Sequence, residues 1–188
     1  LNKVFRQAAE SDIISNAHRI NKGEFVDLEK PSKDFLFIKR DNPDKIISAM
    51  YTLLMDKLPK YVNAKPEEVQ ILTPSRVSKV GVDSLNMIMQ NLINPPKPGK
   101  REKKFKNLRE GDKVMQIKND YQLEWVKLDN KGLRENGLGV FNGDTGVVEE
   151  VNVFAEMVRV VFDDGREVRY DFGDLDQLEL AYAITIHK

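Results

Sequence analysis

Residues 158–170 read Val-Arg-Val-Val-Phe-Asp-Asp-Gly-Arg-Glu-Val-Arg-Tyr, and this stretch decides the fold of the second half of the chain. Apolar and polar residues largely alternate on both sides of the turn sequence Asp163-Asp164-Gly165. Asp-Gly between alternating runs is a strong signal of a β-hairpin, because glycine accepts the positive φ that a tight hairpin turn requires. The stretch therefore predicts two antiparallel strands joined by a short turn.

Similar patterns lie on the N-terminal side of this hairpin. Residues 113–118 alternate, and residues 140–148 read as strand, turn and strand around Asn142-Gly143-Asp144. Several short strands within roughly 65 residues favour a small closed β-barrel, because an open sheet of that size leaves its edges exposed.

The segment before the strands is basic and rich in breakers. Residues 95–106 contain three prolines and a glycine, which predicts a linker. Residues 97–118 hold nine basic and three acidic residues, whereas residues 119–188 hold seven basic and fifteen acidic ones. The linker is either a hinge extended by self-repulsion or a strap that contacts phosphates. The acidic balance of the barrel argues against a broad surface for binding a polyanion and confines such contact to a basic edge near Lys113, Lys118 and Lys127.

The first half of the chain alternates between helix and strand patterns. This alternation is typical of a layered α/β domain with a parallel sheet. The tail from Leu178 to Lys188 is apolar, so we expect it to return to that sheet after the barrel. The predicted elements are a helix from Ser11 to Asn21 stopped by Gly23, a strand Phe35–Ile38, a helix from Pro43, a strand at residues 69–73, and a helix from Asp83 to Asn94.

Composition excludes several classes of protein. The chain has 188 residues, 30 basic and 30 acidic, without cysteine, and its mean hydropathy is −0.49. No run approaches 18 apolar residues and no signal peptide is visible, so we expect no membrane partner and a cytoplasmic location. With only His18 and His187, no structural zinc site is expected, and we predict no metal site in this chain.

A nucleotide-binding loop is missing as well. Gly99-Lys100 suggests a P-loop, but position 94 is Asn where that motif has glycine, and Arg101 stands where it has Ser or Thr. The chain begins at Leu1 without Met and closes at Lys188 inside a patterned segment. We therefore expect a piece of a larger protein, and a share of that protein's function.

Seven segments, in this order and at this spacing, resemble the RecD-like ATP-dependent DNA helicases, the superfamily 1 group that includes the exodeoxyribonuclease V alpha subunit. The set covers nearly the whole chain. The segments are residues 5–14, 16–21, 71–74, 81–86, 111–116, 141–146 and 180–188.

The resemblance implies a fold and a domain order. It implies an α/β fold, a partial RecA-like second motor domain of the P-loop NTPase type, with an inserted SH3-like small β-barrel. The expected domains are residues 1–96 for the first part of the motor domain, 97–175 for the linker and barrel, and 176–188 for the return to the motor domain. The first motor domain, which carries the Walker motifs, is not in the chain.

The resemblance also implies a function for the parent protein. The parent is expected to be a 5′-to-3′ DNA helicase in DNA repair and recombination, with single-stranded DNA and the missing N-terminal motor domain as partners. ATP and Mg²⁺ would be bound mainly by that missing domain, so the chain alone is expected to hydrolyse no ATP.

Candidate ATP-site residues lie near the start of the chain. Arg6 resembles the arginine of helicase motif IV, a permanent planar cation that reaches the γ-phosphate of ATP. Gln7 stands beside it and is expected to orient Arg6 or contact phosphate. The alternative is that Arg6 pairs near a helix start and that Gln7 is an ordinary surface residue.

Candidate DNA contacts are spread over three regions. Hydroxyl, amide and imidazole groups can donate to phosphate oxygens without reading bases, and an aromatic ring can stack on a base. For all of them the alternative is a solvated or structural side chain, and Trp125 is expected in the barrel core. The candidates are Thr185, His187 and Lys188 by resemblance to motif V, Thr73, Arg76 and Asn86 at the ligand edge of the α/β sheet, and Asn119, Tyr121 and Asn142 near strand ends of the barrel.

Two rival functions remain open from the sequence. One is a stand-alone nucleic-acid-binding or protein-binding module built on the small barrel, without ATPase involvement. The other is an unrelated α/β enzyme, which would require a buried pocket with convergent polar groups.

Overall fold

The computed structural model describes residues 11–99, 103–128 and 132–185. The predictions for Arg6, Gln7, His187 and Lys188 lie outside these residues. The described chain divides into two compact units, with the division between Asn42 and Pro43.

Four helices and eleven strands make up the regular structure of the described residues. The helices are α1 (Asp12–Asn21), α2 (Pro43–Thr52), α3 (Leu58–Val62), which continues α2 through a π-helical turn at Leu53–Lys57, and α4 (Val82–Ile93). The strands are β1 (Ile71–Leu72), β2 (Lys104–Phe105), β3 (Leu108–Arg109), β4 (Lys113–Gln116), β5 (Asp120–Leu128), β6 (Arg134–Val140), β7 (Thr145–Asn152), β8 (Met157–Phe162), β9 (Glu167–Asp171), β10 (Leu178–Leu180) and β11 (Ala183–Ile184).

The first unit contains α1, where the sequence predicts it. The helix starts after Ser11 and gives way to Gly23, whose φ of +72° suits a residue just beyond a helix end. Ser11 makes no side-chain capping bond to the helix; its hydroxyl donates to Asp34 at 2.5 Å, and Asp34 also accepts the Asp12 backbone N–H at 3.1 Å. The hydrogen bond from Ser11 is the largest cause that lowers the pKa of Asp34.

The predicted strand Phe35–Ile38 is wrong. This run pairs with no other strand among residues 11–99, 103–128 and 132–185, and Leu36 and Phe37 are exposed. An apolar run becomes a strand only when a neighbouring strand takes its hydrogen bonds, and the local pattern cannot tell whether one is present.

The second unit contains a small parallel sheet beside a buried helix. β1 and β11 pair in parallel, with Ile71 opposite Ala183 and Leu72 opposite Ile184. The strand predicted at residues 69–73 is thus reduced to two residues. Helix α4 is confirmed, and it buries Leu85 and Met89 on one face. This is the α/β part of the fold, and it is much smaller than the β part.

Seven strands form one antiparallel sheet in the order β10-β4-β7-β8-β9-β5-β6. The predicted hairpin around Gly165 is confirmed, since β8 pairs with β9. The strands predicted on either side of Asn142-Gly143-Asp144 are present as β6 and β7, but in the described residues they do not pair with each other, and β7 pairs with β8 and β4 instead. Every strand contributes to one apolar cluster, so the sheet wraps around its own core. Within the described chain β10 and β6 do not pair with each other, so the barrel is only partly closed. The cluster includes Val114, Leu123, Trp125, Val140, Val148, Val151, Val158, Val160, Phe162, Val168, Tyr170 and Leu178.

Two sequence-based boundaries shift in the structure. The barrel sheet extends to Leu180, past the limit predicted at residue 175, because β10 pairs with β4. The predicted linker contains β2, which forms a hairpin with β3 and stacks Phe105 on Phe172 with ring centroids 3.6 Å apart. Trp125 packs against the barrel core, as predicted from the sequence, and its ring lies over Gly137.

A buried carboxylate joins helix α4 to the barrel. Asp112 is fully buried, and burial is the main cause that raises its pKa above the ordinary value of 3.8. It accepts four hydrogen bonds, from Gln90 Nε2 at 2.5 Å, Asn94 Nδ2 at 2.9 Å, the Arg109 backbone N–H at 2.7 Å and the Tyr182 hydroxyl at 3.0 Å. Three separate parts of the unit therefore depend on one side chain.

Candidate nucleic-acid interface

The site begins at the carboxyl ends of the two parallel strands. Thr73 follows β1 and Thr185 follows β11, so both threonines stand at the edge where open α/β sheets bind ligands. Thr73 is buried, and its hydroxyl donates to the Val80 carbonyl at 2.7 Å. Thr73 therefore holds the following loop, while Thr185 lines the cleft described below.

The loop of residues 74–81 carries Arg76. It is tightly folded, because a Cβ added to Gly81 would lie 2.3 Å from the Arg76 carbonyl oxygen. Arg76 Nη2 donates to both carboxylate oxygens of Glu179 at 3.0 Å and lies 3.5 Å from Asp83 Oδ1. The hydrogen bond to Glu179 is the main cause that raises the pKa of Arg76. The guanidinium is thus held in place with 47% of its side chain still exposed.

Asn86 has a structural position. It is buried on α4, where its Nδ2 donates to the Leu180 and Ala183 carbonyls at 2.8 and 3.0 Å. Its Oδ1 accepts the Ala183 N–H at 2.8 Å. These bonds clamp the segment that runs from β10 to β11, and the burial does not favour the DNA contact predicted for Asn86.

Three predicted DNA contacts come together at one corner of the barrel. The Asn142 backbone N–H donates to Asn119 Oδ1 at 2.9 Å. Tyr121 meets Phe141 edge to face, with ring centroids 5.6 Å apart and 64% of Tyr121 exposed. Asp144 stabilises this corner by accepting a hydrogen bond from the Phe141 backbone N–H at 2.9 Å. The corner therefore offers polar groups beside an exposed aromatic pair.

Arg166 braces the same corner. Its guanidinium donates to the Gly139 carbonyl at 2.9 Å and to Asp144 at 2.8 Å, and its Nε donates to Asp164 at 2.6 Å. The Arg166 side chain is only 13% exposed, so it is positioned to support the corner and not to meet a ligand directly.

A cleft of about 430 Å³ lies between the barrel corner and the parallel sheet. It brings Arg76, Asn142 and Thr185 to one surface, although they come from three distant parts of the sequence. The barrel and the parallel strands form the walls. The lining residues are Arg76, Val82, Met115, Ile117, Asn142, Glu179, Leu180, Ala183, Ile184 and Thr185.

Two residues of this surface were not predicted from the sequence. Phe141 belongs to the segment 141–146 that carries the family resemblance, so its position in a strand-end turn was an available signal. Glu179 lies 103 positions from Arg76, and no local pattern connects the two. Of the basic edge proposed for the barrel, Lys118 forms an ion pair with Asp176.

The described part of the chain holds no group of three or more His, Cys, Asp or Glu side chains suited to a metal ion. In the same residues, every helix is too short or too polar to traverse a lipid bilayer.

Part of the chain matches the model of a known protein family. Residues 85–162, which run from α4 through β8, match the family model of the ATP-dependent RecD-like DNA helicase SH3 domain. The resemblance to RecD-like helicases is thereby confirmed. The whole chain is also 33% identical, over 189 aligned positions, to the ATP-dependent RecD2 DNA helicase of Deinococcus radiodurans, of which it spans 22%.

Two solved helicase structures give weaker matches to the chain. One is a structure of two coordinating Pif1 helicases at forked double-stranded DNA. The match covers 98% of the present chain and 38% of the Pif1 chain, with a TM-score of 0.45 and 20% identity. The other is unliganded Pif1 from Bacteroides sp. This match covers 62% of the present chain and 41% of the Pif1 chain, with a TM-score of 0.35 and 21% identity.

Proposed function

We propose that the chain is part of an ATP-dependent DNA helicase and supplies a stretch of its single-stranded DNA track. The observation that supports this most is the cleft, because it gathers Arg76, Asn142 and Thr185 on one surface. Asn142 follows Phe141 in the chain, and Phe141 contacts the exposed ring of Tyr121. In this proposal β1, α4 and β11 belong to a RecA-like second motor domain, and the barrel forms the opposite wall of the track.

The chemistry of the cleft suits contact without sequence selection. A guanidinium, an amide and a hydroxyl can each donate to phosphate oxygens, and phosphates are the same at every nucleotide. Stacking of a base on Tyr121 adds about 1–3 kcal/mol and tolerates any base. Such contacts suit a motor that has to move along any sequence.

The ATP side of the proposal depends on Arg6 and Gln7. Arg6 would reach the γ-phosphate of ATP from the edge of this domain, with Gln7 beside it, and His187 and Lys188 would extend the track beyond Thr185. In this proposal ATP and Mg²⁺ would be bound mainly by the first motor domain of the parent, a cytoplasmic repair or recombination enzyme.

The first experiment measures binding of a fluorescein-labelled oligo-dT to the 188-residue chain by anisotropy at several salt concentrations. We expect binding that weakens as salt rises, because contacts to phosphate release counterions. Tyr121→Ala should weaken it about tenfold, which corresponds to about 1.4 kcal/mol. Tyr61→Ala is the matched control, since that tyrosine is 60% exposed on α3.

The outcomes separate the proposal from its rivals. Absence of salt-dependent binding at low ionic strength would contradict a role in the DNA track. If Tyr121→Ala weakens binding while Arg76→Ala and Thr185→Ala leave it unchanged, the barrel binds by itself, as the stand-alone module requires.

The ATP side is tested in the full-length parent. Arg6→Ala should abolish most DNA-stimulated ATP hydrolysis, whereas Arg19→Ala on α1 should leave it intact. Undiminished turnover in the Arg6 variant would show that this arginine does not face ATP.

A further inference from the structure

Arg76, which lines the cleft, is already paired with carboxylates. Arg76 Nη2 lies 3.0 Å from both oxygens of Glu179 and 3.5 Å from Asp83 Oδ1. Arg76 belongs to the loop after β1, whereas Glu179 lies on β10 in the barrel sheet. The ion pair therefore links the two walls of the cleft.

Glu179 is held firmly in this position. It sits opposite Met115 in the pairing of β10 with β4, and its neighbours Leu178 and Leu180 are buried. Its side chain is 34% exposed, so the carboxylate faces the cleft from a fixed strand. Arg76, by contrast, lies on a loop and has a long side chain that can turn to another acceptor.

A carboxylate and a phosphate compete for the same face of a guanidinium, because both present two oxygens to its N–H groups. Asn142 and Thr185, the other polar contacts proposed for the cleft, are uncharged. A phosphodiester that binds Arg76 through Nη2 therefore displaces Glu179, and one that binds through the other N–H groups still meets the negative charge of Glu179.

We propose that Glu179 is an internal competitor of the DNA backbone for Arg76 and determines how tightly this part of the track holds single-stranded DNA. The inference rests on the proposed function, and it adds Glu179 as a residue that weakens the binding of single-stranded DNA. Weak, exchangeable contact suits a track along which phosphates must pass, since each phosphate can be released to the returning carboxylate.

The test compares Glu179→Gln with the wild-type chain in the oligo-dT anisotropy assay. Glutamine keeps the size of the side chain and one acceptor oxygen but removes the competing charge. We expect binding about 3- to 10-fold tighter at low salt, and a salt slope steeper by up to about 0.7, the value for one additional phosphate contact on a single strand. Glu167→Gln is the matched control, since its carboxylate pairs with Arg159 on another part of the barrel.

A double-mutant cycle assigns the effect to Arg76. The gain from Glu179→Gln should largely disappear in the Arg76→Ala background. Asp83→Asn, which removes the more distant carboxylate, should tighten binding by a smaller factor, and it provides the measurement if Glu179→Gln does not fold. Unchanged or weaker binding in a folded Glu179→Gln variant would overturn the inference while leaving the proposed function standing. Loss of salt-dependent binding in the wild-type chain would instead overturn the proposed function.

Discussion

Replacing Asp112 with alanine tests how the barrel is joined to helix α4. The substitution removes the acceptor of four hydrogen bonds in a fully buried place. Gln90 and Asn94 keep second acceptors in the Asn107 and Glu110 carbonyls. The main losses therefore fall on the Arg109 N–H and the Tyr182 hydroxyl.

These two losses give the magnitude. Leaving a buried donor without a partner costs about 1–3 kcal/mol, so two of them lower the free energy of unfolding by about 4 kcal/mol. For a chain of this size each kcal/mol shifts the melting temperature by about 2–4 °C, which gives a fall of about 8–16 °C.

The assay is thermal and urea unfolding at pH 7, followed by circular dichroism. Asp171→Ala is the control, because it removes an exposed carboxylate from β9 and should change the melting temperature by no more than a few degrees. A fall in the Asp112 variant no larger than in this control would refute the conclusion that the buried carboxylate joins α4, β3 and Tyr182.

Three further outcomes are expected. Gly81→Ala should lower the free energy of unfolding by about 1–3 kcal/mol, because its Cβ would meet the Arg76 carbonyl, whereas Gly173→Ala, in open space, should not. Phe141→Ala should weaken oligo-dT binding about fivefold in the anisotropy assay by releasing Tyr121. Burial raises the pKa of Asp112, so native protein holds that proton more tightly than unfolded chain. The stability advantage of wild type over Asp112→Asn should therefore shrink as the pH rises above 3.8, and urea titrations at several pH values would contradict this if the advantage grew.

The sequence predicted those helices and turns whose formation depends on residues within the element itself. Helices α1 and α4 and the hairpin around Gly165 follow from an apolar stripe or a turn sequence that lies within the element itself. The run Phe35–Ile38 failed because pairing of a strand depends on a partner that the run does not encode. Much of the fold was predictable, while the small size of the parallel sheet was not.

The sequence selected candidate side chains by residue type, but it did not predict what each of them contacts. An asparagine on a helix beside a strand end can donate to a phosphate or to a backbone carbonyl. Asn86 donates to carbonyls because the backbone of Leu180 and Ala183 passes over it, and that segment comes 94 or more positions later in the chain. Arg76 and Glu179 illustrate the same limit, since a contact across 103 positions leaves no local signal.

The segment between Leu180 and Ala183 limits how the two walls of the cleft can move. It ends the barrel strand β10 and begins β11, and both ends of it bond to Asn86. Tyr182 in its middle bonds to Asp112, which is held in turn by α4. A change in the width of the cleft would therefore break several buried hydrogen bonds at once, at about 1–3 kcal/mol for each group left unpaired. We therefore expect the barrel and the parallel strands to move together, so that in the proposed helicase a step along DNA would come from their joint motion against other domains, with exchange at Arg76 as the local event.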